Sequence, residues 1–178
     1  GLGAMGLGMA RNLHKQGLLS AAWNRTAEKA TALAQETGCR AVENLPDLSA
    51  LCDVIVVCVS ADADVLHVID EVLPTIQRDT IVIDCSTVSA DTARIAAHRL
   101  RNAGAHFLDA PVSGGTEGAR DGTLAIMVGG DEQAFERGKP VLQAMGKTVT
   151  HFGASGSGQA AKATNQIMCA GVIQAVAE

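Results

Sequence analysis

The chain has 178 residues, with 14 Lys and Arg against 19 Asp and Glu, and its formal charge of −5 counts against nucleic-acid binding unless a basic face is local. With 47% hydrophobic and 19% charged residues it has the composition of a packed globular chain, which excludes disorder. The longest uncharged apolar run, around 54–59, is far short of the ~20 residues that span a bilayer, and no targeting segment opens the chain, so no membrane partner is expected.

The five cysteines (Cys39, Cys52, Cys58, Cys85, Cys169) lie mostly inside apolar runs with no C-x-x-C pair, which fits a reducing cytoplasm. The histidines are scattered, and no metal site is expected. Three Phe and one Trp leave few platforms for stacking bases.

Short β-branched runs alternate with Ala-rich stretches, and this predicts an α/β fold: a doubly wound, mostly parallel sheet of the Rossmann type. The chain opens on Gly1, Leu2, Gly3, Ala4, Met5 and Gly6, a G-x-G-x-x-G turn running into a helix predicted over 5–16. In such a turn the first glycine permits the bend, the second lets backbone approach a pyrophosphate, and the third allows close packing of helix on strand. The free N–H groups of the helix start then face the phosphates. A turn of this kind follows a strand, normally the innermost of the sheet, and the expectation is that this strand is missing from the sequence.

A strand over 19–23 comes next, and Asn24, Arg25 and Thr26 follow at the place where a dinucleotide site reads the adenosine ribose. A carboxylate there would repel a 2′-phosphate, whereas the Arg25 guanidinium can bind one and Thr26 can add a hydroxyl. NADP is therefore expected in preference to NAD, with NAD still possible; the alternative is that Arg25 is a solvated turn residue. Thr26 is expected to cap the helix predicted over 27–37.

Strands are expected over 40–42 and 54–59, the latter apolar throughout and so read as the central strand. Val59 and Ser60 at its end, and Thr87 after the strand over 80–84, fall where strand ends line the nucleotide crevice. Ser86 and Thr87 can equally cap the helix over 90–102.

The strand over 106–110 leads into Asp109, Ala110, Pro111, Val112, Ser113, Gly114, Gly115 and Thr116. A hydroxyl strung onto two glycines offers donors to an anion such as a carboxylate, unless the segment is only a turn. A strand over 123–128, a helix over 131–145 and a strand over 147–152 complete a domain over 1–154.

The last helix, over 158–178, carries Lys162 with Asn165 and Gln166 three and four residues on, hence on one face. That face continues through Cys169 to Ile173, so the lysine heads a stripe that turns apolar. A desolvated lysine there would have a lowered pKa and could pass a proton at neutral pH; a snorkelling surface lysine is the other reading. The helix is still running at residue 178, and 155–178 is read as the start of a truncated second domain.

As a set, these residues resemble the β-hydroxyacid dehydrogenase family, which includes 3-hydroxyisobutyrate dehydrogenase, tartronate semialdehyde reductase and the glyoxylate/succinic semialdehyde reductases. The resemblance rests on the opening turn with Leu7, Gly8, Met9, Ala10, Arg11, Asn12 and Leu13, on residues 109–115, on Asp121, Gly122, Thr123 and Leu124, and on Gly156, Ser157 and Gly158 followed by Lys162 and Asn165. It implies a Rossmann domain, a long interdomain helix and an all-α C-terminal domain forming dimers or tetramers. It also implies Lys162 as general acid/base, Ser113 with Gly114 and Gly115 as the cradle for a substrate carboxylate, and Asn165 as the polar partner holding substrate beside the lysine. Many members have Asn where this chain has Gln166, and Pro where it has Ser60. The implied reaction is hydride transfer between nicotinamide and a small β-hydroxy acid or its semialdehyde. An imine reductase of the same fold, a sugar-acid-phosphate decarboxylase and a non-catalytic dinucleotide-binding module are the alternatives.

Overall fold

The computed structural model covers residues 1–178 and alternates helices with strands. The glycine turn enters α1 (Gly6–Lys15), which is followed by β1 (Ala21–Ala22), α2 (Ala27–Thr37) and β2 (Arg40–Ala41). β1 and β2 pair in parallel as a small sheet of their own. Leu2, Ala10, Ala22, Ala30 and Leu33 form its apolar core, and α2 ends at Gly38, whose φ of 77° is the left-handed stop that glycine adopts without strain.

The larger sheet is built from β3 (Val54–Val57), β4 (Ile81–Asp84), β5 (His106–Asp109), β6 (Val112–Ser113), β7 (Leu124–Gly130) and β8 (Gly146–Gly153). Its order is β3-β4-β5-β7-β6, with β8 also on β7. β3, β4 and β5 run parallel, as do β7 and β8, whereas β7 is antiparallel to β5 and β6. The parallel pairs are joined through helices: α4 (Asp62–Val72) between β3 and β4, α5 (Ala90–Asn102) between β4 and β5, and α7 (Glu132–Met145) between β7 and β8. Along β4 every residue is buried because alternate side chains feed opposite layers: Ile81 and Ile83 pack with Met9, Leu13, Leu108 and Leu142, and Val82 packs with Val65, Ile69 and Leu100.

The run at 54–59 differs from expectation in its place in the order and in its length. Among the strands present β3 stands at one end of the sheet order, beside β4, and it leaves the ladder after Val57, short of the expected residue 59. Its open edge and β1 flank an apolar slot lined by Leu13, Leu19, Trp23, Leu48, Ile55 and Val141 among others. This slot lies where the strand leading into the glycine turn is expected.

Elements absent from the sequence reading have plain local causes. α3 (Leu45–Leu51) is capped by Asn44, whose side chain accepts the Asp47 N–H at 2.7 Å, with Pro in its first turn. α4 places Val65, Val68, Ile69 and Val72 on one buried face at helical spacing. α6 (Gly115–Asp121) is a short helix ended by Gly122. α8 (Ser157–Ala177) is buried only in its first turns, and Ile167, Met168, Val172, Ile173 and Val176 are exposed. No helix is long and apolar enough to cross a membrane.

α1 is fixed to α6 by close packing and one amide. A Cβ at Gly8 would stand 2.8 Å from the Ala119 carbonyl, and buried Asn12 donates to the carbonyls of Ala119 at 2.8 Å and Arg120 at 3.2 Å. Asn12 thus serves two acceptors at the end of α6 that helix geometry leaves unpaired. Asn12→Ala is expected to lower stability by about 1–3 kcal/mol, read from urea unfolding; a change under ~0.5 kcal/mol would show that water replaces the amide.

Candidate active site

The three glycines of the opening turn divide the roles expected of them. A Cβ at Gly1 would stand 2.6 Å from the Cys58 carbonyl oxygen, and one at Gly6 would collide with the Gly1 carbonyl. A Cβ at Gly3 would meet nothing within 4 Å. The first and third glycines are therefore required by internal packing, and the second keeps an open face beside the start of α1. Only a bulky ligand approaching that face gives a reason for glycine there, so the turn fits a dinucleotide pyrophosphate. Leu2, Ala4 and Met5 complete it; Leu2 is buried, and its N–H donates to Asn24 Oδ1 at 2.7 Å.

That bond changes the reading of the 24–26 segment. The Asn24 amide is used at both ends, since its Nδ2 also donates to the Thr26 carbonyl at 2.9 Å, and it fastens the segment after β1 to the glycine turn. Thr26 stands at the cap position of α2, but its side chain makes no capping bond. Arg25 is exposed, its guanidinium 3.7 Å from the Asp64 carboxylate at the start of α4.

Around the strand ends, Ser86 proves more central than Thr87. Buried Ser86 receives the Val59 N–H on its Oγ at 2.9 Å and donates its own N–H to Asp84 Oδ1 at 3.0 Å. Neither residue caps α5: the cap is Ser89, which accepts the Thr92 N–H at 3.1 Å. Thr87 and Ser60 are exposed, and Val59 is half-buried.

The polar loop follows β5 by way of β6, and both pair antiparallel with β7. Ser113, half-buried, ends β6 opposite Ala125 of β7, and Gly114 and Gly115 turn the chain into α6 with φ of 134° and 63°. At Gly114 a side chain would be strained and would crowd Leu124, so the loop depends on glycine there. α8 packs against β5, β7 and β8, so β7 carries both the loop strand and the lysine helix.

Lys162 is 7% exposed, and Asn165 is half-buried on the next turn. No carboxylate pairs with the lysine, and desolvation holds its pKa below the usual lysine range. The apolar stripe expected beyond it is present, but it is bare: Cys169 and Ile173 are exposed. The buried residues of α8 are confined to its first turns, where the helix packs on β5, β7, β8 and α5.

Two carboxyl groups missed as site residues underlie this arrangement. Asp84 and Asp109 end adjacent parallel strands in register, both with no solvent exposure. Asp109 accepts the Gly156 N–H on Oδ1 at 2.8 Å and the Gln159 N–H on Oδ2 at 3.0 Å, so a strand end caps α8 from outside the helix. Their signal in the sequence was a carboxylate at the end of each apolar strand. Asp84 Oδ2 has no partner, and desolvation first, then the neighbouring Asp109, push its pKa up to about 6 despite the bonds from Ser86.

The layered sheet and the glycine turn define a dinucleotide-binding α/β domain with a desolvated lysine on an adjoining helix. The chain matches the NAD binding domain of 6-phosphogluconate dehydrogenase over residues 1–153, and it belongs to that family, in its β-hydroxyacid dehydrogenase branch. It is 42% identical over 173 residues to an uncharacterized oxidoreductase of Synechocystis sp., covering 95% of this chain and 60% of that protein. It is 38% identical over its whole length to an NAD-dependent L-serine dehydrogenase of Pseudomonas aeruginosa, again covering 60% of that protein. The solved structure of a 3-hydroxyisobutyrate dehydrogenase of Mycobacterium tuberculosis with L-serine is similar with a TM-score of 0.91 and 37% identity, over 96% of this chain and 58% of that one. The chain thus spans about three fifths of the length of the relatives it matches.

The raised pKa of Asp84 has a pH signature. Between pH 4 and 6 the folded chain keeps a proton that the unfolded chain has lost, so this group's contribution to stability falls as pH rises through the window and stays low above it. Asp84→Asn keeps an acceptor for Ser86 and cannot ionise. The variant is expected to gain on the order of 3 kcal/mol relative to the native chain between pH 4 and pH 7, by urea unfolding at each pH; parallel curves would refute the assignment.

Proposed function

We propose that the protein of which this chain is part is an NAD(P)-dependent oxidoreductase that interconverts a small β-hydroxy acid and its semialdehyde. The observation that carries the reading is a desolvated lysine, free of any carboxylate, on the helix that closes a dinucleotide domain. The likeness to an L-serine dehydrogenase and to a 3-hydroxyisobutyrate dehydrogenase supports a hydroxy acid as substrate.

When bound, the nicotinamide cofactor supplies or takes up the hydride. The chain's own residues handle the proton and the orientation. In reduction, protonated Lys162 donates from Nζ to the oxygen of the forming alcohol and is left as the neutral amine; in oxidation it accepts that proton. Desolvation brings this exchange closer to neutral pH than an exposed lysine allows. Asn165, one turn on, hydrogen-bonds the same oxygen, and the Ser113 hydroxyl with the N–H groups of Gly114 and Gly115 holds the acid end. Gly1, Leu2, Gly3, Ala4, Met5 and Gly6 form the pyrophosphate cradle, and Val59, Ser60 and Thr87 line the nicotinamide side. Arg25, leaving Asp64 for a 2′-phosphate, with the free Thr26 hydroxyl beside it, gives the preference for NADP.

Two open surfaces fit a longer chain. The slot between β1 and β3 takes the strand that leads into the glycine turn, pairing with both edges. The bare apolar face of α8 is the start of a C-terminal helical domain through which the protein forms dimers or tetramers. An imine reductase has no use for the lysine as placed, and a non-catalytic module gives no reason to desolvate it.

The test uses full-length protein, assayed for NADPH and NADH oxidation against a panel of small semialdehydes, with the reverse alcohols in parallel. Lys162→Ala is expected to lower kcat by about 10²–10⁴-fold and leave dinucleotide affinity nearly unchanged. Retained turnover in that variant removes the lysine from the mechanism. Arg25→Asp is expected to weaken NADP binding by about 1.5–3 kcal/mol more than NAD binding, read by calorimetry; equal losses would overturn the cofactor preference.

A further inference from the structure

Gln159 sits one turn before Lys162 on α8 and is only 4% exposed. Both ends of its amide are used on one segment of another element: Oε1 accepts the Val88 N–H at 3.2 Å, and Nε2 donates to the Ser86 carbonyl oxygen at 2.8 Å. The two partners flank exposed Thr87. Through the Ser86 hydroxyl the same link reaches Val59 at the end of β3. A single side chain on the lysine helix thus grips the strand-end loop on both sides of its outward-facing residue.

We infer that Gln159 is a positioning residue that sets the separation between Lys162 and the 86–88 segment. The inference rests on the reading of Lys162 and Thr87 given above. Hydride and proton transfer require groups on both elements to be placed at once, and ~1 Å of misplacement is enough to cost on the order of 10²-fold in rate. Only a primary amide of this length satisfies the two contacts. Glutamate would face the Ser86 carbonyl with a second acceptor and bury a charge, and an apolar residue would leave one N–H and one C=O without their partner. The start of α8 does not depend on this side chain, because Asp109 holds the backbone N–H groups of Gly156 and Gln159. At Gly158 a Cβ would stand 2.6 Å from the Asp109 carbonyl oxygen, so the helix start is seated tightly against β5. Loss of the Gln159 amide therefore loosens 86–88 against the helix and leaves the fold standing.

The experiment compares full-length native protein with Gln159→Leu and with the milder Gln159→Asn, whose amide is one methylene too short to reach. It uses the substrate found in the panel assay and NADPH deuterated at the transferred position. Expected for both variants are a kcat lower by about 10–100-fold, a substrate KM within about two-fold, an increased deuterium isotope effect, and an unmoved inflection in the pH profile of kcat. Thermal unfolding identifies the folded variants, and Gln159→Asn decides if Gln159→Leu does not fold. A folded variant with kcat and isotope effect within about two-fold of native overturns the inference, as does a shifted inflection, which would make Gln159 part of the lysine's electrostatic environment. Lys162→Ala run alongside separates the two failures: if it retains turnover the lysine reading falls, and if it is inactive while the Gln159 variants behave as native, only the positioning role falls.

Discussion

The arrangement depends on one carboxylate that water never reaches. Asp109 ends β5 and spends both oxygens on backbone N–H groups at the start of α8. A helix start leaves N–H groups without partners, and a buried carboxylate is costly without donors, so each answers the need of the other. Desolvation still raises the Asp109 pKa, and the bonds from Gly156 and Gln159 pull it back. The contact is tight enough that neighbouring positions are restricted to glycine: a Cβ at Gly129 would stand 2.7 Å from Asp109 Oδ1. Everything proposed for Lys162 presupposes that the helix begins at this point and at this angle to the sheet.

From that anchor the strand ends form a connected floor. Asp109 lies beside Asp84, Asp84 holds the Ser86 N–H, Ser86 holds the Val59 N–H, and Gln159 returns from the helix to the loop after Ser86. Ends of parallel strands on one side of a sheet are where doubly wound folds place ligands. Here the ends are fixed to one another and to α8 by side chains of the same polar set, so cofactor wall and lysine share one scaffold. The unpartnered Oδ2 of Asp84 is the single unmet demand among the buried side chains, and desolvation of this group, with Asp109 beside it, raises its pKa to about 6.

Much of this was legible in the residues. The glycine spacing gave the turn, and the structure adds why each glycine is needed: two by contact with backbone, and one by open space. The burial of Lys162 agreed with expectation, but for a different reason. Its apolar neighbours further along the helix are exposed, and the first turns of α8, where it sits, pack on β5, β7, β8 and α5, which spacing along one helix cannot reveal. α4 was missed because its buried face is Val and Ile, residues that favour strands, although their spacing is helical. The antiparallel setting of β7 was hidden because the direction of a strand depends on the connection before it, here the short β6 and α6, and not on its own composition. The apolar character of 54–59, which led to its reading as central, agrees with the slot beside it: this side of β3 faces apolar side chains rather than water.

In the cofactor reading proposed for Arg25, the adenosine end is governed by a weaker balance. Arg25 and Asp64 stand 3.7 Å apart, with the guanidinium largely in water, and exposed pairs of this kind contribute ~0–1 kcal/mol. Exchanging Asp64 for a 2′-phosphate is therefore cheap for the arginine, and the new pair gains the geometry of a fork on a tetrahedral anion. The carboxylate does not leave the neighbourhood, however, because it sits in the first turn of α4, where the helix dipole favours its charge. It repels a phosphate from the same place that Arg25 attracts one. With the Asn24 amide committed to the glycine turn, the cofactor preference proposed for Arg25 rests on the difference between one exposed cation and one half-exposed anion, and salt screens both.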